Sequence, residues 1–207
     1  MRKKLSKDFY QREDVLVIAR ELLGKVLVTE LEGERCAGRI VEVEAYNGTV
    51  DKASHAWNGR RTTRTEIMYA PGGVAYVYLC YGIHHLFNVV TNTAEIPHAV
   101  LIRALEPMEG IEAMLRRTGK KKVDESLTRG PGNAAKAMGI TTELTGISLN
   151  SKTIFIADDG YRLTAKQLIA GPRIGVDYAG EDALLPYRFY INGHPNRSGP
   201  KSTNDLS

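Results

Sequence analysis

Two glutamates and a tyrosine share one face of a predicted β-strand in the segment GRIVEVEAYNG, residues 38–48. Glu42, Glu44 and Tyr46 alternate with apolar residues, and side chains two apart in a strand lie on the same face. This face is either the solvated side of a half-buried strand or part of a site in which a carboxylate does acid–base chemistry beside an aromatic ring. His55 and Trp57 follow in the next polar segment and favour the second interpretation.

A second group of aromatic residues lies in YVYLCYGIHH, which reads as two strands joined by a tight turn. Tyr76 and Tyr78 share a strand face, and Tyr81 falls at the turn. The two strand residues are either cross-strand packing or a stacking platform, since nucleobases stack on aromatic rings with about 1–3 kcal/mol each. A tyrosine at a hairpin tip is poorly placed for a core and well placed to insert into a binding partner.

Arg103 is a charged residue inside the apolar strand pattern AVLIRALEP. If it is buried it needs a partner, because an unpaired buried charge is costly, and a carboxylate such as Glu44 would serve. The alternative is an arginine at a strand edge in water. Asn88, in LFNVV, raises the same question for a neutral polar group.

Other chemical motifs are weak or missing from the sequence. His84 and His85 are adjacent and would point to opposite faces of a strand, and Cys36 and Cys80 lack the spacing of metal ligands; we expect no metal or cofactor, and reduced core thiols. No Walker A, GxGxxG, GxSxG or zinc-deaminase pattern occurs. GPGNAAKAMG, residues 130–139, is either a structural turn or a helix N-terminus that receives a phosphate.

The elements that must position these residues are mostly strands joined by short turns. Helices are predicted at 14–23, ending at Gly24, at 108–118 and after Gly-Pro-Gly within 128–140. Strands are predicted at 25–31, 36–46, 74–90 with a turn in the middle, 98–107 ending at Pro107, 153–158, 168–176 and 187–191, and a polar, loop-rich segment with a short helix at 51–73.

These elements indicate an α+β fold with an antiparallel or mixed sheet. We expect a single domain over residues 1–207, with frayed ends at about 1–8 and 195–207. The chain has 43% apolar and 25% charged residues, enough for a core, and its net charge of +4 fits a nucleic-acid partner without requiring one. No apolar run approaches the length of a membrane span or a signal peptide, so an intracellular protein is expected.

The ordered set GRIVEVEAYNG, DKASHAWNG, YVYLCYGIHHLFNVV, LIRALEP and IGVDYAGEDALLPYRFYI resembles the alkyladenine (3-methyladenine) DNA glycosylase family, the single-domain type of animals and many bacteria. The resemblance runs from about Phe9 to Ile191. It implies a compact mixed domain around a curved antiparallel sheet with a protruding hairpin. It also implies a monomeric enzyme that flips a damaged purine out of double-stranded DNA and cuts its N-glycosidic bond with water, cytoplasmic and nucleoid-associated in bacteria or nuclear in eukaryotes.

The resemblance also implies catalytic roles for three residues. Glu44 resembles the general base that deprotonates the attacking water. Arg103 and the backbone carbonyl of Val176 resemble the groups that hold this water. Because a carboxylate near the reacting carbon can both activate water and stabilise an oxocarbenium-like state, this chemistry needs no metal or cofactor.

The same comparison implies binding roles for five residues. Tyr46 resembles one wall of the base pocket, and His55 and Tyr78 resemble the other. Asn88 resembles the floor residue that clashes with the 2-amino group of guanine. Tyr81 resembles the wedge that fills the gap left by the flipped base, whereas no role is implied for the neighbouring Glu42, which is expected to be solvated or structural.

Two departures from the family bear on these roles. Animal members carry Gly-His where this chain has Asp177-Tyr178, which affects the pocket, and Ile83-His84-His85 follow the wedge. Two other functions stay open. A non-catalytic nucleic-acid-binding domain would share the aromatics and the charge, whereas a glycosylase with lyase activity would need a lysine amine near the reacting carbon, and none occurs in VEVEAY, YVYLCYG or LIRALEP.

Overall fold

A computed structural model describes residues 2–199 and has an α+β architecture around one curved antiparallel sheet. The strands are β1 Lys3–Lys4, β2 Val26–Leu31, β3 Glu34–Tyr46, β4 Ala75–Cys80, β5 His84–Thr91, β6 His98–Glu109, β7 Ile154–Asp158, β8 Leu168–Gly171 and β9 Arg188–Ile191. The α-helices in this part of the chain are α1 Lys7–Tyr10, α2 Val15–Leu22, α3 Ile111–Thr118 and α4 Pro131–Met138. The predicted fold class is confirmed.

The sheet places β3 at its centre. The strand order is β1-β7-β2-β3-β6-β5-β4, with β9 added beside β3 and β8 beside β9, and every pairing is antiparallel. The register between β3 and β6 shifts at Ala37/Gly38 and on both sides of Glu42. Such bulges bend a strand and redirect its side chains. The pairing of β3 with β2 ends at Arg39, and from Glu42 onward β3 pairs with β9 as well as β6.

Both faces of β3 are buried. The apolar face packs in the main core with residues of α2, α3 and α4. On the opposite face Glu42 and Glu44 are each 0% exposed, because segments 172–184 and 196–199 cover them. The interpretation of this face as the solvated side of a half-buried strand is therefore wrong.

Local features of the chain account for the ends and turns of several elements. Asp14 caps α2 by accepting hydrogen bonds from the amides of Leu16 and Val17, as expected for an N-cap carboxylate. The β2–β3 hairpin turns at Glu32 and Gly33, which have φ angles of 53° and 78°. The predicted short helix after Gly130 is α4, and two 3₁₀ turns, Trp57–Gly59 and Glu66–Tyr69, lie in the loop-rich segment 51–73.

Three predictions about element ends are wrong. β6 runs through Pro107 to Glu109 because Pro107, which has no N–H, lies opposite Gly38 beside a register shift. The following helix therefore begins at Ile111. The strand predicted at 168–176 ends at Gly171, and the remainder turns back over β3.

The prediction of frayed ends is also wrong for the described residues. Lys3 and Lys4 pair with β7, and helix α1 follows at Lys7–Tyr10. At the other end Asn196, Arg197 and Ser198 are buried. Residues 1 and 200–207, which that prediction also covered, lie outside the described part of the chain. Within residues 2–199 no helix is long and apolar enough to cross a membrane.

The two cysteines are free thiols in different surroundings. Cys36 is fully buried in β3, as expected for a core thiol, whereas Cys80, at the end of β4, is only partly buried. Burial is the main cause that raises the pKa of the Cys36 thiol, so it stays protonated at neutral pH.

Candidate active site

Glu44 is a fully buried carboxylate whose two oxygens both accept hydrogen bonds. Oε1 accepts from the backbone amide of Ile174 at 2.8 Å. Oε2 accepts from the hydroxyl of Tyr46 at 2.9 Å. These bonds come from β3 itself and from the 172–184 segment, so the side chain is fixed from two directions.

Arg103, on β6, lies beside Glu44 in the sheet. Its Nη1 is 3.3 Å from Oε1 of Glu44, and its Nε is 3.4 Å from Oε1 of Glu42. Burial alone would lower the pKa of Arg103, but Glu44 and Glu42 raise it, so the guanidinium is charged. The predicted pairing of a buried Arg103 with Glu44 is confirmed, and a solvated arginine at a strand edge is excluded.

Glu42 is structural rather than solvated. Its Oε1 accepts from Nη1 of Arg188 at 3.0 Å, and its Oε2 accepts from the backbone amide of Ser198 at 2.6 Å. Glu42 and Glu44 together with Arg103 and Arg188 form a buried group with no net charge. Such balance is what allows ionised side chains to be buried.

Tyr46 connects Glu44 to the cavity beside β3. The pKa of its hydroxyl is raised well above the usual value by burial and by the negative charge of Glu44, so it stays protonated and donates to the carboxylate. The guanidinium of Arg173 lies 4.9 Å from the centre of the Tyr46 ring. Arg173 is in turn held by Asp51, at 2.5 and 2.8 Å.

The cavity is narrow, with a volume of about 30 Å³, and is lined mostly by aromatic side chains. Its lining residues are Tyr46, Ala53, His55, Met68, Tyr76, Tyr78, Asn88, Ala99 and Tyr178. Tyr46, His55, Tyr78 and Asn88, which the sequence assigned to one pocket, therefore do lie around one cavity. Glu44 reaches it through the hydroxyl of Tyr46.

His55 is a neutral member of this wall. Its Nδ1 lies 2.8 Å from the hydroxyl of Tyr76, and its ring meets that of Tyr78 edge to face at 4.6 Å. Burial, with smaller contributions from Arg64 and Arg60, lowers the pKa of His55 to about 4. At neutral pH the imidazole is therefore uncharged. This state suits a role in the aromatic wall better than a role as a proton donor.

The two tyrosines on β4 have different surroundings: the packing interpretation is confirmed for Tyr76, and the stacking role of Tyr78 stays a prediction. Tyr76 is 2% exposed and packs in a core with Met68 and Val90. Tyr78 is half-buried and faces the cavity, with its ring centre 5.5 Å from that of Tyr76. Tyr76 thus supports the ring of Tyr78 as well as His55.

Asn88, on β5, contributes an acceptor to the cavity. Both hydrogens of its Nδ2 are used, since it donates to the backbone carbonyls of Tyr76 and Leu86 at 3.2 Å each. The same bonds fix which end of the amide is the nitrogen. The group that Asn88 can offer to a bound molecule is therefore its carbonyl oxygen.

Tyr81 lies at the tip of the β4–β5 hairpin and is 91% exposed. Tyr81 and Gly82 have φ angles of 50° and 72°, and Ile83 donates from its amide to the carbonyl of Cys80 at 3.1 Å, as in a type I′ turn. Glycine and asparagine prefer such positions, and another residue costs about 1–2 kcal/mol. Leu79 and Ile83 are also exposed, so the tip carries an apolar patch typical of a binding surface.

Several residues of the site escaped sequence analysis. Tyr178 was noted only as a departure, yet it lines the cavity and donates from its hydroxyl to the carbonyl of Ala53 at 3.0 Å. Val176, by contrast, was named from the sequence: its carbonyl accepts from the amide of Ala179 at 2.8 Å, which leaves one lone pair for another donor. Arg173 gave no signal, because its partner Asp51 is 122 residues away.

The site thus combines a buried carboxylate paired with an arginine, a cavity walled by aromatic rings and a hairpin with an exposed tyrosine. Residues 8–195 match the model of the methylpurine-DNA glycosylase (MPG) family. The chain belongs to this family and is a DNA glycosylase of base-excision repair.

Relatives agree with this assignment over nearly the full chain. A protein of Chlamydia abortus named "Putative 3-methyladenine DNA glycosylase" is 50% identical over 189 residues, 91% of this chain and 98% of the relative. A protein of Bacillus mycoides with the same name is 48% identical over 195 residues, 90% of this chain and 95% of the relative. The resemblance inferred from the sequence is confirmed.

Proposed function

We propose that this glycosylase flips an alkylated or deaminated purine out of double-stranded DNA into the aromatic cavity and hydrolyses its bond to C1′ with Glu44 as the general base. The observation that carries the proposal is the position of Glu44, fully buried, paired with Arg103 and bonded to a cavity-lining tyrosine. A non-catalytic binding domain would have no use for a buried ion pair at this point.

In the proposed reaction a water attacks C1′ as the N-glycosidic bond breaks. The electron pair of that bond leaves with the base, and the proton of the water passes to Glu44. The oxygen Oε2 now bonded to Tyr46 exchanges that bond for one to the water. Arg103 and the second lone pair of the Val176 carbonyl orient the water, and the negative charge of Glu44 stabilises the oxocarbenium-like sugar.

We propose that the base binds between Tyr46 on one side and His55 with Tyr78 on the other. Alkylated purines that carry a positive charge are attracted to electron-rich ring faces. The neutral state of His55 favours such a cation, because an imidazolium would repel it. The carbonyl oxygen of Asn88 would meet the edge of the base at the floor.

The monomeric state and a single domain over residues 1–207 are part of this proposal. A base-flipping site built wholly within one chain requires no second copy. Because the relatives named above are bacterial, we also propose that the enzyme acts in the cytoplasm, at the nucleoid.

A panel of duplex oligonucleotides, each with one modified purine, tests the function. The lesions are 3-methyladenine, hypoxanthine and ethenoadenine, and free base and abasic sites are measured. We expect release of at least one base, with strand cleavage only after alkali. Binding without release would favour a binding domain, whereas a covalent adduct trapped by borohydride would favour a lyase.

Tyr81→Ala should weaken capture of a paired lesion more than the chemical step. The exposed ring at the hairpin tip is the proposed wedge, and without it the flipped state loses a stacking partner worth about 1–3 kcal/mol. The measurement compares affinity and single-turnover rate for the same lesion in duplex and in single-stranded DNA. Equal losses on the two substrates would contradict a wedge.

Asn88→Ser should relax the exclusion of guanine-type bases. The shorter side chain leaves room for an exocyclic amine where the Asn88 carbonyl now lies. The check is the ratio of excision rates for a 2-amino purine and for hypoxanthine in matched duplexes. If that ratio stays unchanged while hypoxanthine excision is normal, Asn88 serves only the hairpin backbone to which it is bonded.

A further inference from the structure

The C-terminal segment Asn196–Ser198 packs behind the catalytic ion pair. Ser198 is 7% exposed. Its amide donates to Oε2 of Glu42 at 2.6 Å, and its hydroxyl accepts from Nε and Nη2 of Arg103 at 3.3 and 3.2 Å. Its partners are 156 and 95 residues away in the chain. Its carbonyl also accepts from Nη1 of Arg188 at 3.4 Å, so one serine contacts three of the four members of the buried group.

The segment Asn196–Ser198 is also held against β6, the strand that carries Arg103, through Thr128. The side-chain amide of Asn196 donates to the carbonyl of Glu125 at 3.2 Å and to Oγ1 of Thr128 at 3.3 Å. Thr128 in turn donates to the carbonyl of Leu105 at 2.6 Å, two residues beyond Arg103 on β6. Ser198 is thus held at a set distance from the backbone of its arginine partner.

The distribution of hydrogen bonds gives Ser198 a specific effect on Arg103. Both oxygens of Glu42 already accept a shorter bond, Oε1 from Arg188 at 3.0 Å and Oε2 from the Ser198 amide at 2.6 Å, whereas Nε of Arg103 lies 3.4 Å from Oε1. The guanidinium of Arg103 is consequently not drawn into a two-point pair with Glu42. The neutral hydroxyl of Ser198 takes Nε and Nη2 instead, and Nη1 is left 3.3 Å from Glu44.

We propose that Ser198 is a positioning residue for base excision, one that orients the Arg103 guanidinium so that Nη1 is presented to Glu44 and to the attacking water. The inference rests on the proposed role of Glu44. It assigns the segment beyond β9 a part in the reaction, although none of its described residues, 192–199, lines the cavity.

The test is Ser198→Ala, which removes only the hydroxyl and keeps the contacts of the Ser198 backbone, including the amide bond to Glu42. Hydrogen bonds to charged groups have energies that correspond to roughly 10–100-fold in a rate, so we expect the single-turnover excision rate to fall at least about 10-fold. Affinity for the lesion duplex should change less than about 2-fold, because Ser198 does not reach the base. Ser198→Thr, which retains a hydroxyl, should restore most of the rate.

Two controls separate positioning from stability. Ser151→Ala removes a half-buried hydroxyl that bonds to Ile154 at the start of β7, away from the cavity, and should leave the rate unchanged. In an Arg103→Met background the additional change Ser198→Ala should cost less than about 2-fold, because Ser198 acts through Arg103. If Arg103→Met does not fold, the contrast of rate and affinity in Ser198→Ala and Ser198→Thr decides.

The outcomes distinguish this inference from the proposed function. A wild-type protein that releases none of the lesions would overturn the proposed function, and this inference with it. An active wild-type protein with an equally active Ser198→Ala variant would overturn the inference alone. So would a Ser198→Ala variant whose rate loss is the same with or without Arg103, since the serine would then serve only the fold.

Discussion

Glu44→Gln is expected to abolish excision while leaving lesion capture nearly intact. The amide has the size of the carboxylate, and its oxygen can still accept from the Ile174 amide and from Arg103, while its nitrogen can donate to Tyr46. It cannot take a proton from water, and loss of a general base alone typically costs 10²–10⁴-fold. Loss of the negative charge near the oxocarbenium adds to this. The measurement is the single-turnover rate beside the dissociation constant for the same lesion duplex.

The control for this variant must be a carboxylate outside the buried group. Glu42 is unsuitable although it lies two residues away on the same strand face, because Arg188 and Ser198 depend on it. Glu143→Gln, at an exposed position, should excise at the wild-type rate. A Glu44→Gln variant with near-normal excision would exclude Glu44 as the general base.

Sequence alone placed Glu44 and Tyr46 on one face of β3, because alternation reports which side chains share a face. The same reasoning located Arg103, since a charge inside an apolar strand requires a partner, and Tyr81, since a ring at a turn has no core to enter. The bounds of α2, predicted at 14–23 and observed at Val15–Leu22, followed from local rules. Each of these signals is contained within about ten residues.

The sequence could not tell that both faces of β3 are buried. Whether a polar strand face is solvated depends on what packs over it, and here the covering segments are 172–184 and 196–199, far away in the chain. Ser198 lies in a polar tail whose composition favours fraying, yet its amide meets the carboxylate of Glu42. Local sequence patterns do not indicate such long-range contacts. The prediction for Glu42 therefore left its role open, and the prediction that the tail is frayed was wrong for residues 196–198.

Tyr178 is a second residue whose role depends on a long-range contact. Its position after Val176 was visible in the sequence as a departure from animal relatives, but its part in the cavity depends on a bond to Ala53, 125 residues away. The turn strain at Tyr81 was likewise hidden, because a positive φ is a property of the fold. Strain at an exposed aromatic residue is a sign of function that only coordinates provide.

Asp51→Asn should lower the free energy of unfolding by about 3–5 kcal/mol, the usual cost of removing one partner of a buried ion pair. Asp51 and Arg173 have side chains 1% and 0% exposed and are joined at 2.5 and 2.8 Å. The Asp51 oxygens also accept from the amides of Asn47 and Ala53 at 3.0 Å each. An asparagine must turn its NH₂ group toward two of these donors, so it leaves Arg173 with an unbalanced charge.

The loss should extend to the site, because Arg173 lies against the ring of Tyr46 and donates to the carbonyl of Ala45 at 3.0 Å. Urea unfolding measures the free energy of unfolding. The dissociation constant for a lesion duplex at low temperature reports whether the Tyr46 wall of the cavity is intact. The matched control is Glu66→Gln, which breaks the exposed pair with Arg61, whose side chains are 59% and 41% exposed. Exposed pairs contribute about 0–1 kcal/mol, so this variant should be nearly neutral. Equal small losses in the two variants would mean that burial of the Asp51–Arg173 pair gives it no special part in the fold.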